Sequence, residues 1–152
     1  MLQATSPYDD DYAPCEETFA TLRVFTGGAH PCSVTDSLGI QPSSITLEAT
    51  KPFRRSNAWF LTSKDAVTSR DFRRHLDWLL DKLLPVRATI EELKLEGAIC
   101  NFHCYWVMSR TNSVLILSQA QMNGLAALGI EIWWDIYSPL VGEPNAPEPP
   151  TG

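Results

Sequence analysis

Cys100, His103, Cys104, Tyr105 and Trp106 fall within seven positions, Cys100 to Trp106, of the stretch GAICNFHCYWVMS. Thiols and an imidazole at that spacing could ligate zinc, pair as nucleophile and base, or close a disulfide. Each of these requires the groups to converge, and convergence depends on the backbone. Residues four apart meet on a helix but lie roughly 13 Å apart on a strand, at about 3.3 Å per residue. The β-branched and aromatic content after Gly97 predicts a strand. Cys100 and Cys104 then share one face with Ala98, Phe102, Trp106 and Met108, while His103 points the other way with Ile99, Asn101, Tyr105 and Val107. Neither a zinc site nor a Cys100–Cys104 bridge fits that geometry, so no metal or cofactor is expected here.

The same parity organises the other strands. TFATLRVFTG (18–27) reads as a strand with Ala20, Leu22 and Val24 toward the core and Phe19, Thr21, Arg23 and Phe25 outward. IEIWWDIY (130–137) sends Ile130, Ile132, Trp134 and Ile136 inward and Glu131, Trp133, Asp135 and Tyr137 outward. In one shared sheet the outer face carries Arg23, Asn101, His103, Tyr105, Glu131, Trp133, Asp135 and Tyr137. Trp59 is a further candidate, with Ala58 and Phe60 competing for the inward side. Arg23 and Asp135 are expected to form an ion pair.

Between these strands, Ser33 is placed to cap a short helix stopped by Gly39. SSITLEAT (43–50) and NAWFLTS (57–63) pattern as a hairpin with a long loop. Phe72, Leu76, Leu79, Leu80 and Leu83 recur at helical spacing behind an Asp71 cap, with His75 among Arg73, Arg74 and Asp77 read as solvent-facing. Pro85 ends or kinks that helix. A second helix buries Ile90 and Leu93 and stops at Gly97. The RTN turn predicts a hairpin over 98–117. Ser118 then caps a helix with Met122, Leu125 and Leu128 on one face and Gly129 as stop. Leu-Gly-Ile recurs at 38–40 and 128–130, an echo of internal duplication. The pattern predicts an α+β sandwich: a largely antiparallel sheet of about six strands with helices on one face.

With 152 residues, 44% hydrophobic, the chain fits one domain over 17–137. An acidic segment, 1–16, and a Pro-rich tail, 138–152, are expected to be disordered. The charge of −6 sits at the ends: 12 basic and 11 acidic residues lie between 18 and 137. An acidic chain repels a phosphate backbone, and Arg54, Arg55, Arg73 and Arg74, read as solvated, are too few to reverse that, so no nucleic acid is expected. The N-terminus has neither a signal pattern nor an apolar span. A cytoplasmic location with no membrane partner and four buried thiols, Cys15, Cys32, Cys100 and Cys104, follows as an expectation.

No GxSxG, HExxH, GxGxxG or phosphate loop occurs, and His30 and Cys32 in HPC have no reason to align. Aromatic residues mixed with charges are the composition of recognition surfaces. The residues therefore point to a non-enzymatic binding module whose partner is another protein or a second copy. The alternative is a small hydrolase or ligand-binding enzyme using His103 and Asp135, with Glu131 as a further acid.

WFLTS, HLDWLLDKLLP, the CYW stretch, LAALGI and WWDIY together resemble an uncharacterised bacterial domain-of-unknown-function family, the one numbered four-two-seven-nine, over about residues 18 to 137. The resemblance implies a small bacterial cytosolic α/β domain and carries over no catalytic residue. Small stand-alone domains often serve as immunity proteins beside toxins, which makes that role the nearest analogy.

Overall fold

The computed structural model describes residues 7–48, 56–110 and 113–138. Its centre is β1 (Cys15–Gly27), flanked by β3 (Asn57–Thr62) and β4 (Ile99–Met108). The edges are β2 (Ser44–Thr46) and β5 (Glu131–Tyr137), giving the order β2-β3-β1-β4-β5. Four helices interleave: α1 (Cys32–Leu38), α2 (Phe72–Leu83), α3 (Arg87–Leu95) and α4 (Gln119–Leu128). The fold is α+β, with five strands among the described residues rather than six.

The sheet is mixed. β1 runs antiparallel to β3 and β4, and β2 antiparallel to β3 as its hairpin pattern predicts, but β5 runs parallel to β4. Parallel neighbours need a long crossover, and residues 109–130, including α4, supply it. The expected 98–117 hairpin is therefore absent. Residues 113–118 form no strand, and Leu115 and Leu117 instead pack on the core from a connection. Thr111 and Asn112 of the expected turn lie outside the described residues, as do 49–55 of the β2–β3 loop and 139–152 of the expected tail.

All four helices bury their apolar stripes against one side of the sheet, where Ala20, Leu22, Val24, Phe102, Cys104 and Trp106 meet Val34, Leu76, Leu79, Leu83, Ile90 and Leu128. Asp71 caps α2 by accepting from Arg73 N–H at 3.1 Å. Pro85 sits in a 3-10 turn, Leu84–Val86, that reorients the chain into α3. Ser118 and Gln121 form a reciprocal capping box on α4. Several expectations are corrected. Pro31 rather than Ser33 holds the cap position of α1, with no side-chain hydrogen bond. α4 buries Gln121, Gly124 and Leu128 and leaves Met122 exposed, because Gly124 lets the helix approach Leu80 closely. Gly39 and Gly129 both end helices in the left-handed conformation, but α1 leads to an antiparallel edge and α4 to a parallel one, so the echo is one of caps.

Residues 8–10 of the acidic segment are joined to α2 and the turn before it. The Asp9 N–H donates to Asp71, Asp10 accepts from Ser69 and from the Arg74 guanidinium at 2.7 Å, and the Tyr8 hydroxyl donates to Asp77. Arg73 pairs with the buried Asp71, while Arg74 pairs with Asp10 and stays at the solvated surface as expected. His75, expected at the surface, is fully buried: Ser63 Oγ lies 2.7 Å from its Nδ1 and the Ser69 carbonyl 2.8 Å from its Nε2.

Candidate functional site

The sheet face opposite the helices is where strand parity places the candidate residues. Registers align Thr21 with His103, Arg23 with Asn101 and Phe19 with Tyr105. Across the parallel pair, His103 lies beside Trp133 and Tyr105 beside Asp135. Arg23, His103, Tyr105, Glu131, Trp133, Asp135 and Tyr137 therefore occupy one surface. Among the described residues no helix covers it, since every helix packs on the other side.

Trp59 is not part of this surface. It aligns with Val24 on the core side, is fully buried, and donates its indole N–H to Thr35 Oγ1 at 3.0 Å. Its neighbour Phe60 takes the outer position, across from Arg23 and edge-on to Phe25 with ring centroids 6.4 Å apart. Phe60 is the face residue that strand parity left undecided, because Asn57, Ala58 and Trp59 are all buried and erase the alternation there.

Two clusters make up the surface. In the first, the Arg23 guanidinium lies 5.5 Å from the Phe25 ring and 5.6 Å from the Trp133 ring, and Arg23 Nε donates to Asn101 Oδ1 at 2.7 Å. The cation is fixed by aromatic faces and an amide rather than by the expected Asp135 ion pair. Burial pulls the Arg23 pKa below its ordinary value. Trp133 donates its indole N–H to Glu131 at 3.1 Å while remaining 54% exposed, so the largest aromatic of the face is available to a partner. In the second cluster, Phe19 stacks on Tyr105 at 4.8 Å and Tyr105 meets Tyr137 at 5.2 Å, with the Lys64 ammonium 5.3 Å from the Phe19 ring.

His103 and Asp135 join the clusters, His103 Nε2 lying 3.6 Å from Asp135 Oδ2, a carboxylate oxygen that also accepts from the Tyr137 hydroxyl at 2.9 Å. Partial burial, then the nearby Arg23 charge, lower the His103 pKa, and Asp135 opposes both. The hydrogen bond to Asp135 raises that of Tyr137. Neither His103 nor Asp135 lines any of five clefts among the described residues. One of about 420 Å³ lies by Tyr8, Arg74 and Trp78, and one of about 350 Å³ reaches the candidate face only at Asn101, Glu131 and Trp133.

The thiols stand apart from this surface. Cys104 is sealed in the core and Cys100 faces the same side, so His103 and the two sulfurs project from opposite faces of β4. Burial pushes the Cys100 thiol up to about 11 and that of Cys15 to about 12. All four cysteines are free, but of the four expected to be buried Cys32, on the first turn of α1, is exposed and Cys100 is only partly buried. Among the described residues no group of three or more His, Cys, Asp or Glu side chains is gathered to hold a metal, and no helix is long and apolar enough to cross a membrane.

A mixed five-stranded sheet with helices on one face and an aromatic, charged surface on the other defines a two-layer α+β domain. The chain belongs to the family described as a domain of unknown function (DUF4279), which matches residues 16–139. Comparison with curated proteins and with solved structures gives no match.

Proposed function

We propose that the domain is a non-enzymatic binding module that engages a protein partner through its helix-free sheet face, inside a bacterial cell and in the manner of a small immunity-type protein. The observation that carries this reading is the Arg23 guanidinium held between Phe25 and the half-exposed Trp133. Arginine and tryptophan dominate binding energy at interfaces, and fixing the cation in advance lowers the entropy lost on docking. The test is recovery of partners from native lysate by the full chain and by a folded Trp133→Ala plus Asp135→Ala variant. Equal recovery of every partner by both proteins contradicts the reading.

The 3.6 Å contact between His103 and Asp135 favours a second reading, a small hydrolase or ligand-binding enzyme in which Asp135 orients the imidazole as general base. It predicts turnover of an activated ester that falls in both His103→Gln and Asp135→Asn. A wild-type rate no faster than that of free imidazole excludes it.

A further inference from the structure

β5 is the long outer strand of the sheet, and its other side has no backbone hydrogen-bond partner among the described residues. The opposite edge, β2, is three residues long. Natural edge strands are protected by charged side chains, lysine above all, and by proline, bulges or brevity; the two charges of β5, Glu131 and Asp135, both lie on the open face and both accept from a neighbouring side chain. EIWWDIY has seven residues, none of them Lys, Pro or Gly, and pairs with β4 without a bulge. Its last turn of pleat is exposed on both faces: Ile136 is 52% exposed on the helix side and Tyr137 48% on the open side. The helix layer thus stops short of this edge and leaves room alongside it.

We propose that β5 pairs antiparallel with β5 of a second copy, joining two five-stranded sheets into one across a twofold axis. An axis perpendicular to the sheet keeps the helix layers on one side and centres the pairing on a residue opposite itself. Three centres engage most of the strand. Centring on Trp133 sets Glu131 opposite Asp135, and centring on Asp135 sets that carboxylate opposite its own copy. Both oppose like charges. Centring on Trp134 sets Trp134 against Trp134 and Ile132 against Ile136 on the helix side. On the open side it sets Trp133 against Asp135 and Glu131 against Tyr137. The indole N–H and phenol O–H that Glu131 and Asp135 accept from within one strand can then pass to Asp135 and Glu131 of the second copy, bond for bond; no like charges lie directly opposite, and the exposed Ile136 is covered. Of the three registers only this one keeps like charges from lying directly opposite and pairs apolar with apolar residues on the helix side, and that self-complementarity identifies the occupant as a second copy. The open face stays free, so this pairing stands independently of the partner-binding reading.

The test is the solution mass of the full chain by light scattering and sedimentation equilibrium. The wild type is expected at twice 17.0 kDa. A single-chain mass at every concentration up to the solubility limit overturns the proposal. Ile136→Lys is expected to weaken the dimer at least about tenfold, while Phe60→Ala on the open face leaves it unchanged. The reverse pattern assigns the dimer to face-to-face packing and overturns edge pairing. Circular dichroism checks the fold, and the surface pair Tyr137→Lys and Tyr137→Glu reports the register without touching the core. Opposite Glu131, the lysine retains or tightens the dimer and the glutamate loosens it. Equal effects of the two overturn the register.

Discussion

Ser63 Oγ lies 2.7 Å from His75 Nδ1 in a site sealed from solvent, and the same oxygen accepts the Ala20 N–H at 3.0 Å. The Ser69 carbonyl can only accept, so His75 carries its proton on Nε2 and takes the Ser63 hydroxyl proton at Nδ1. A serine and histidine in contact would suggest a nucleophile and base, but here they join β1, the end of β3 and α2.

Burial lowers the His75 pKa, with the Ser69 carbonyl partly opposing it. The unfolded chain therefore binds the proton first, near pH 6.5. The stability this group contributes is complete above that pH and is lost as pH falls toward the lower folded value. Urea midpoints are expected to drop between pH 7 and pH 5, and His75→Gln, less stable at pH 7, is expected to flatten that dependence. Ser63→Ala leaves two buried groups unsatisfied and is expected to cost about 1–3 kcal/mol.

Asp71 holds the N-terminal segment and the start of α2 at once. Burial favours its neutral form, but the Arg73 guanidinium and the N–H groups of Asp9 and Arg73 outweigh that and lower its pKa. Its contribution is present above the ordinary value of 3.8 and is lost as pH falls through the lower folded value. Asp71→Ala is expected to cost about 1–2 kcal/mol through the lost cap. It should also speed proteolysis within residues 7–14. Unchanged cleavage would show that the bonds of Tyr8 to Asp77 and of Asp10 to Ser69 and Arg74 hold the segment without Asp71.

Much of this arrangement is legible in the sequence, and the failures have physical causes. β4 and β5 alternate strongly enough that parity alone assigns their outer residues. SVLILS alternates too, but alternation records burial of Leu115 and Leu117 and says nothing of a partner strand, and β5 occupies the edge that a hairpin would have used. His75 lies on the apolar stripe with Phe72, Leu76 and Leu79. Its flanking charges suggest solvent because the two serines that satisfy it are brought in by the loop before the helix. Trp59 is misplaced because its strand end is buried on both faces.

Gly124 is where α4 meets α2. A Cβ there would sit 3.0 Å from Leu80 Cδ1 and 3.3 Å from Cδ2. Replacing a helical glycine by alanine ordinarily gains up to about 1 kcal/mol. Leu80 is buried in the core and has little room to yield, so Gly124→Ala is expected to be no more stable than wild type. Gly124→Val is expected to lose about 1–3 kcal/mol by overpacking. An alanine variant stabilised by the full propensity gain would show that Leu80 moves freely.

Exposure separates the four thiols. In the folded protein Cys32 is expected to react quickly with a thiol reagent, Cys100 slowly, and Cys15 and Cys104 only on unfolding, because each of the last two is fully buried. Mass spectrometry of alkylated peptides over time gives the order directly. Early labelling at Cys104 would contradict the packing of β4 against the helices.

The open face makes a prediction of opposite signs at one imidazole. His103 feels partial burial and the Arg23 charge, both lowering its pKa, and the Asp135 carboxylate, which raises it. Arg23→Gln removes a cation and is expected to move the His103 titration, followed by NMR of the ring protons, toward higher pH. Asp135→Asn is expected to move it toward lower pH. Because His103 and Asp135 are 29% and 42% exposed, solvent screens both shifts, and added salt is expected to shrink them. Shifts in the same direction for the two variants would mean that His103 responds to a rearranged face rather than to its two neighbouring charges. The pairing that orders this surface would then be wrong.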